Sequence, residues 1–188
     1  MSRKNVEVVR KPLRADEAPS RTLDQRLVLC CPRAAAATRR LIAKLPPGSP
    51  LRQAAVWHAY RRAVEAHNRR DLDFVMRGFH LDAEYHPYRE VVEAGLAEPC
   101  YRGPSGYRTF VSIYEEVWGV EFRLEPSELI DLGDRTVLLA DMPTHAIGAG
   151  VRTTRKYASV STLKDGLVIR QHDFLDHAEA LEAVGMRE

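Results

Sequence analysis

His86 stands directly before a proline in the run Glu84-Tyr85-His86-Pro87, and histidine is the residue type best suited to exchanging protons at physiological pH. Such a group can serve as the base in a proton transfer or dehydration, a contribution typically worth about 10² to 10⁴ in rate. If the run is a strand, His86 and Glu84 share one face and Tyr85 takes the other, so His86 meets a substrate only if its own face is enclosed. Asp173, in Gln171-His172-Asp173, ends another β-type run, and a purely structural role there would be pairing with Arg170 or capping the helix that follows. Trp57, Tyr60, Tyr114 and Trp118 fall at helical positions as core or pocket wall, and they favour a flat aromatic or polycyclic ligand where a cavity exposes them. His58 on a helix and His145 near a strand end read as polar core or rim residues. The seven histidines include no HxH or HExxH, and His172 and His177 are five apart across a strand-to-helix passage, so no metal is expected. GxGxxG, P-loop and GxSxG strings are missing, which leaves nucleotide and acyl-transfer chemistry unsupported.

Composition fits a chain that builds a core. Its 188 residues, 45% hydrophobic and 29% charged, leave room for one domain with an extension. The formal net charge of +2 conceals an asymmetry, because residues 1–49 carry eleven Lys/Arg against four Asp/Glu while the remainder is net acidic. Leu41, Ile42 and Leu45 beside Arg39, Arg40 and Lys44 make a basic amphipathic face. These charges are spread out and not interleaved with aromatics, so the expectation is an arm packed on its own acidic body or on a partner subunit, with no nucleic acid bound. The longest apolar stretches fall short of the roughly 20 residues of a membrane span, and Leu27 to Cys31 is too short and too late for a signal peptide. A cytoplasmic protein is expected, with Cys30, Cys31 and Cys100 as buried or idle thiols.

The elements that must position these groups can be placed from local signals. Thr22 with Gln25 has the form of a capping box, Pro32 interrupts the helix it starts, and Lys44 to Pro50 holds three prolines and a glycine. The arm is therefore read as two short helices after a frayed start, residues 1–49, joined by a linker to a domain over residues 50–188. Apolar residues from Leu51 to Ala66 recur at helical spacing and stop at Asn68-Arg69-Arg70, where Asp71 caps a second short helix. Ala83 to Pro87 reads as a short strand, and Gly103 to Trp118 as a third helix stopped by Gly119. The period then changes to two over Glu121 to Ile130, Arg135 to Ala146, Arg152 to Leu163 and Leu167 to Leu175. Turn signals at 131–134, 148–150 and 164–166 make these four runs a meander, and a last helix covers His177 to Val184. Helices followed by an antiparallel sheet define an α+β fold.

This order, together with Asn68-Arg69-Arg70-Asp71-Leu72-Asp73, Glu84-Tyr85-His86-Pro87, Tyr101-Arg102-Gly103, Ile130-Asp131-Leu132-Gly133-Asp134, Leu163-Lys164-Asp165-Gly166 and the closing Phe174 to Leu181, resembles the SnoaL-like proteins of the NTF2-like superfamily. Element order and strings together cover residues 51 to 185, nearly three quarters of the chain. The resemblance implies a cone in which a strongly curved antiparallel sheet wraps around the helices and encloses an apolar cavity for a small hydrophobic or polycyclic molecule. It also implies a homodimer, cofactor-free chemistry, and a cyclisation, isomerisation or dehydration; a non-catalytic binding or dimerisation module is the alternative.

Site residues follow by position. Ketosteroid isomerases place a proton-transferring carboxylate before the proline of the first strand, where this chain has His86, and Pro87 tilts His86 toward the cavity. Their first-helix tyrosine aligns with Ala63, one turn after Tyr60, and their second acid aligns with Ser159. SnoaL-type cyclases use an aspartate within a His-Trp-Asp string as general acid/base, and Asp173 inherits that place with His172 where the tryptophan would be. An aspartate in an apolar cavity has its pKa raised toward neutrality. The expected set is thus Asp173 and His86 as catalytic groups, with Trp57, Tyr60, Tyr85, Tyr114, Trp118, His145, Ser159 and His172 around the ligand, and neither metal nor cofactor.

Overall fold

The computed structural model of the chain describes residues 8–13, 20–118, 123–145 and 152–186. Seven helices appear among them: α1 Leu23–Cys30, α2 Pro32–Ala43, α3 Pro50–Asn68, α4 Leu72–Val75, α5 Arg89–Glu93, α6 Gly103–Trp118 and α7 His177–Ala183. The strands are β1 Val9–Pro12, β2 Phe79–His86, β3 Tyr101–Arg102, β4 Glu125–Asp131, β5 Arg135–His145, β6 Arg152–Lys164 and β7 Leu167–Phe174. They form one curved, unclosed sheet in the order β1-β4-β5-β6-β7-β2-β3. The expected meander is present as β4 to β7, closed by an Asp165-Gly166 turn whose residues sit at φ 53° and 74°, the left-handed pair that suits a tight hairpin. The expected turn at 148–150 and the stop at Gly119 lie outside the described residues.

Three features correct the sequence reading. The sheet is mixed, not purely antiparallel, because β2 runs parallel to β7, with Tyr85 opposite Gln171 and His86 opposite His172. The frayed start contains a strand, β1, whose residues Val9 to Pro12 pair with Glu128 to Asp131 of β4. Cys30 and Cys31 are exposed, which removes the buried alternative of the buried-or-idle reading. No helix among the described residues is long and apolar enough to cross a membrane.

Pleating divides the interior into two layers. On one face Tyr85, Leu129, Leu138, Ala140, Met142 and Tyr157 meet Val64 and Ala66 of α3 and Tyr107, Phe110, Val111 and Tyr114 of α6. On the other, Ile130, Val137, Leu139, Ala158 and Val160 are covered by Ala180 and Leu181 of α7. Asp176 caps α7 by accepting from the Glu179 amide.

The segment before α3 is tied down by buried polar groups. Gln25, fully buried in α1, donates to the Arg62 carbonyl at 3.0 Å, while its Oε1 accepts from the Thr22 amide and from Arg69. Arg52, 2% exposed near the start of α3, grips the fully buried Asp131 with two nitrogens at 2.7 and 2.9 Å. Its remaining donors reach the carbonyls of Ala43, Leu45 and Gly133, so one guanidinium ties the end of α2, the proline-rich linker and the β4–β5 turn together.

Candidate functional site

Strand alternation decides which titratable groups point inward. Tyr85, Gln171 and Asp173 lie on the face packed by α3 and α6, and the flanking Glu84, His86, Arg170 and His172 lie on the opposite face. Asp173 is 7% exposed. Its Oδ2 accepts the Tyr85 hydroxyl at 2.6 Å and its Oδ1 accepts the Gln171 amide at 2.9 Å. Neither structural role considered for it holds, because Arg170 is bound to Glu84 at 2.7 Å and Asp176 caps α7.

Electrostatics follow from that setting. Burial raises the Asp173 carboxyl from 3.8 to about 6, and the hydrogen bonds from Tyr85, Gln171 and Tyr157 hold it from rising further. Burial, reinforced by the Asp173 charge, lifts the Tyr85 and Tyr157 hydroxyls well above their ordinary value, and Tyr114 goes to about 12. Every phenol here therefore stays protonated at neutral pH and can donate. His67, buried on α3, is pushed down to about 4 by burial and by the Arg70 charge, and is a neutral imidazole.

Asp173, His67, Tyr85, Tyr88, Tyr107, Phe110, Tyr114, Met142 and Tyr157 line a common internal space. Rings enclose it tightly, with Tyr85 4.7 Å from Phe110 and 4.9 Å from Tyr107 between centroids. Water centres have about 20 Å³ available, where a single water needs roughly 10–15 Å³. The apolar cavity implied by the resemblance is thus nearly filled, because five tyrosine rings crowd it.

Of the other sequence-derived residues, Tyr85 and Tyr114 join Asp173 in the lining, and Ser159 is buried in register with Asp173 across β6 and β7. His86 does not join them, which corrects its expected turn toward the cavity. Its ring stacks on His172 on the outer face at 4.1 Å, its Nδ1 is 3.1 Å from the Pro99 carbonyl, and Tyr85 takes the interior. His172 is excluded from the interior with it, and its pKa is lowered by partial burial and by His86. Tyr60 is engaged with the Thr136 hydroxyl and Trp57 lies under the Lys11 ammonium, each away from the lining around Asp173. The side chains of Trp118 and His145 lie outside the described residues. Sequence reasoning passed over His67, Tyr88, Tyr107 and Tyr157. The signal for His67 was its place on the stripe Tyr60, Val64, His67, which turns one face of α3 inward.

No family model and no curated protein matches the chain. Solved structures do. The crystal structure of TerC co-crystallized with polyporic acid is 26% identical, covering 66% of this chain and 94% of that one at a TM-score of 0.57. An NTF2-like protein of unknown function from Burkholderia pseudomallei is also 26% identical, covering 68% of this chain and 95% of that one, with the same TM-score of 0.57. The chain has the NTF2-like fold. A Catenulispora acidiphila protein with a ketosteroid isomerase-like fold, solved with trimethylamine, shares the NTF2-like fold at 12% identity, covering 68% of this chain and 92% of that one with a TM-score of 0.52. About a third of the present chain lies outside each of these matches.

Proposed function

We propose that this NTF2-like protein performs cofactor-free acid/base chemistry on a small hydrophobic molecule bearing an acidic C–H beside a carbonyl, with Asp173 as the group that moves the proton. One observation carries the reading: a buried carboxyl whose donors are all neutral and whose pKa of about 6 places it where it can take and return a proton near neutrality. In this scheme the Asp173 carboxylate removes the proton, the electron pair shifts onto the substrate oxygen, and a protonated tyrosine such as Tyr107 donates to that oxygen. Reprotonation at another carbon gives isomerisation, and attack by the enolate carbon on a second carbonyl gives cyclisation. The aromatic lining suits a flat ligand, and TerC, which is similar to this chain, was crystallized with polyporic acid. Binding requires the ring walls to part, since the space now holds about one water.

The filled interior favours a second reading, a non-catalytic module in which Asp173 is a buried polar contact of the core. Turnover of enolisable polycyclic ketones by the parent and by Asp173→Asn separates the two. The catalytic reading expects a rate that rises with pH through about 6 and falls at least about 10²-fold in the variant. Turnover unchanged by the substitution, or no turnover of any ketone in the series, favours the module.

A further inference from the structure

The basic arm is not used by the chemistry proposed above, yet it completes a second concavity. Ser20 and Arg21 of the arm meet Arg69, Arg70, Asp71, Leu72 and Asp73 at the α3–α4 junction and Arg108 of α6, around an open groove of about 390 Å³. Four guanidiniums and two carboxylates line it. Arg70 also pairs with Glu115, so the cluster keeps an excess of positive charge even when that partner is counted.

The two carboxylates differ in kind. Asp71 is 8% exposed, receives two nitrogens of Arg21 at 2.7 Å each and one of Arg69 at 2.9 Å, and caps the Phe74 amide. Those bonds, Arg21 foremost, hold its pKa down at about 2, and it is a fixed part of the fold. Asp73 is 68% exposed and sits between two half-exposed arginines, 2.7 Å from Arg108 and 3.7 Å from Arg21. An exposed pair of this type is worth little against water and salt, so its carboxylate is readily replaced by another oxyanion with equal or higher charge. Arg108 would then present its guanidinium to that ligand, and Arg21, whose Nε and Nη2 stay on Asp71, would add its charge and remaining donors without any change in the core.

We propose that this groove binds a phosphate-type oxyanion, with Arg21 and Arg108 as its ligands and the Asp73 carboxylate as a built-in competitor that swings aside when the anion arrives. The arm is thereby assigned a binding role, since it supplies Arg21.

Calorimetric titration of the full-length protein with inorganic phosphate and with phenyl phosphate, against sodium chloride at matched ionic strength, tests this. Phosphate is expected to bind where chloride does not. Asp73→Asn should bind at least about threefold more tightly, and Arg108→Gln about tenfold more weakly, in line with the loss of one charge-assisted contact. Glu93→Gln, which removes an equally exposed carboxylate on α5, should leave affinity unchanged and so separates local competition from net charge. Because Arg108 is half exposed and its guanidinium pairs with the exposed Asp73, its substitution leaves the fold intact, as circular dichroism would show. Tighter binding of phenyl phosphate than of the free ion identifies a monoester ligand, and equal binding identifies the ion itself. Heats indistinguishable from chloride, an Asp73→Asn affinity no higher than the parent's, or an Arg108→Gln affinity equal to it would each overturn the assignment.

Discussion

Two carboxylates are buried in the same sheet, Asp131 on β4 and Asp173 on β7, and their surroundings make them opposite in use. Asp131 is fully buried against the guanidinium of Arg52 and the Gly133 amide, a charge matched by a charge. Asp173 is nearly as deeply placed, but its donors are the Tyr85 and Tyr157 hydroxyls and the Gln171 amide, and none carries a charge. Charge-matched burial fixes a structure, and removing one partner leaves an expensive orphan. Burial among neutral donors leaves the proton exchangeable. The contrast explains how one sheet can anchor the linker at one end and hold an acid of raised pKa near the other.

The contrast can be broken from either side. The largest effect is expected from Arg52→Met, which leaves Asp131 as an uncompensated buried anion and should cost about 3–5 kcal/mol in urea denaturation. Combining it with Asp131→Leu should recover most of that loss, whereas a pair that contributes only packing would show no recovery.

Next comes Asp173→Asn. Asp173 keeps its proton to about pH 6 when folded but only to about 3.8 when unfolded. Between those values the folded state binds more protons, so the Asp173 contribution falls as pH rises and is most unfavourable above 6. The stability difference between variant and parent should therefore shift in favour of the asparagine by up to about 3 kcal/mol from about pH 4 to about pH 8. A difference that stays constant with pH would refute the raised pKa.

Tyr85→Phe removes the 2.6 Å hydrogen bond and should cost about 1 kcal/mol, while moving the carboxyl midpoint of Asp173 above 6 in a carbon-13 NMR titration. The smallest effect is expected from His86→Ala on the outer face, within about 0.5–1 kcal/mol. It should leave the Asp173 titration where it was, and any movement would mean that the sheet does not insulate its two faces.

Long periodic segments were legible: α3, α6, the four-strand meander and the two arm helices all sit where spacing and turn chemistry put them. The capping signal at Thr22 was also legible, and the Thr22 amide does bond Gln25. What escaped was decided by pairing across long stretches of chain. Val9 to Pro12 is too short and too basic to show a period, and it becomes a strand because β4 offers an edge. The parallel β2–β7 ladder has no local signature at all. For the site, alternation correctly put Tyr85 and His86 on opposite faces but could not say which was inside. A buried acid waiting opposite resolved it, since a tyrosine can both fill the space and donate to Asp173. Tyr88 and Tyr157 reach the same space from a loop and from β6, a convergence that no linear pattern records.

The parallel ladder between β2 and β7 also dictates when the surroundings of Asp173 can form. Tyr85 and its acid partner are 88 positions apart in sequence, so a nascent chain emerging from the ribosome can pair β2 only with the short β3 and leaves its other edge open until β7 has been made. Such late, non-local docking slows folding and leaves a sticky edge open meanwhile. A chain cut before Leu167 would lose the acid and keep that edge, and its expected fate is aggregation.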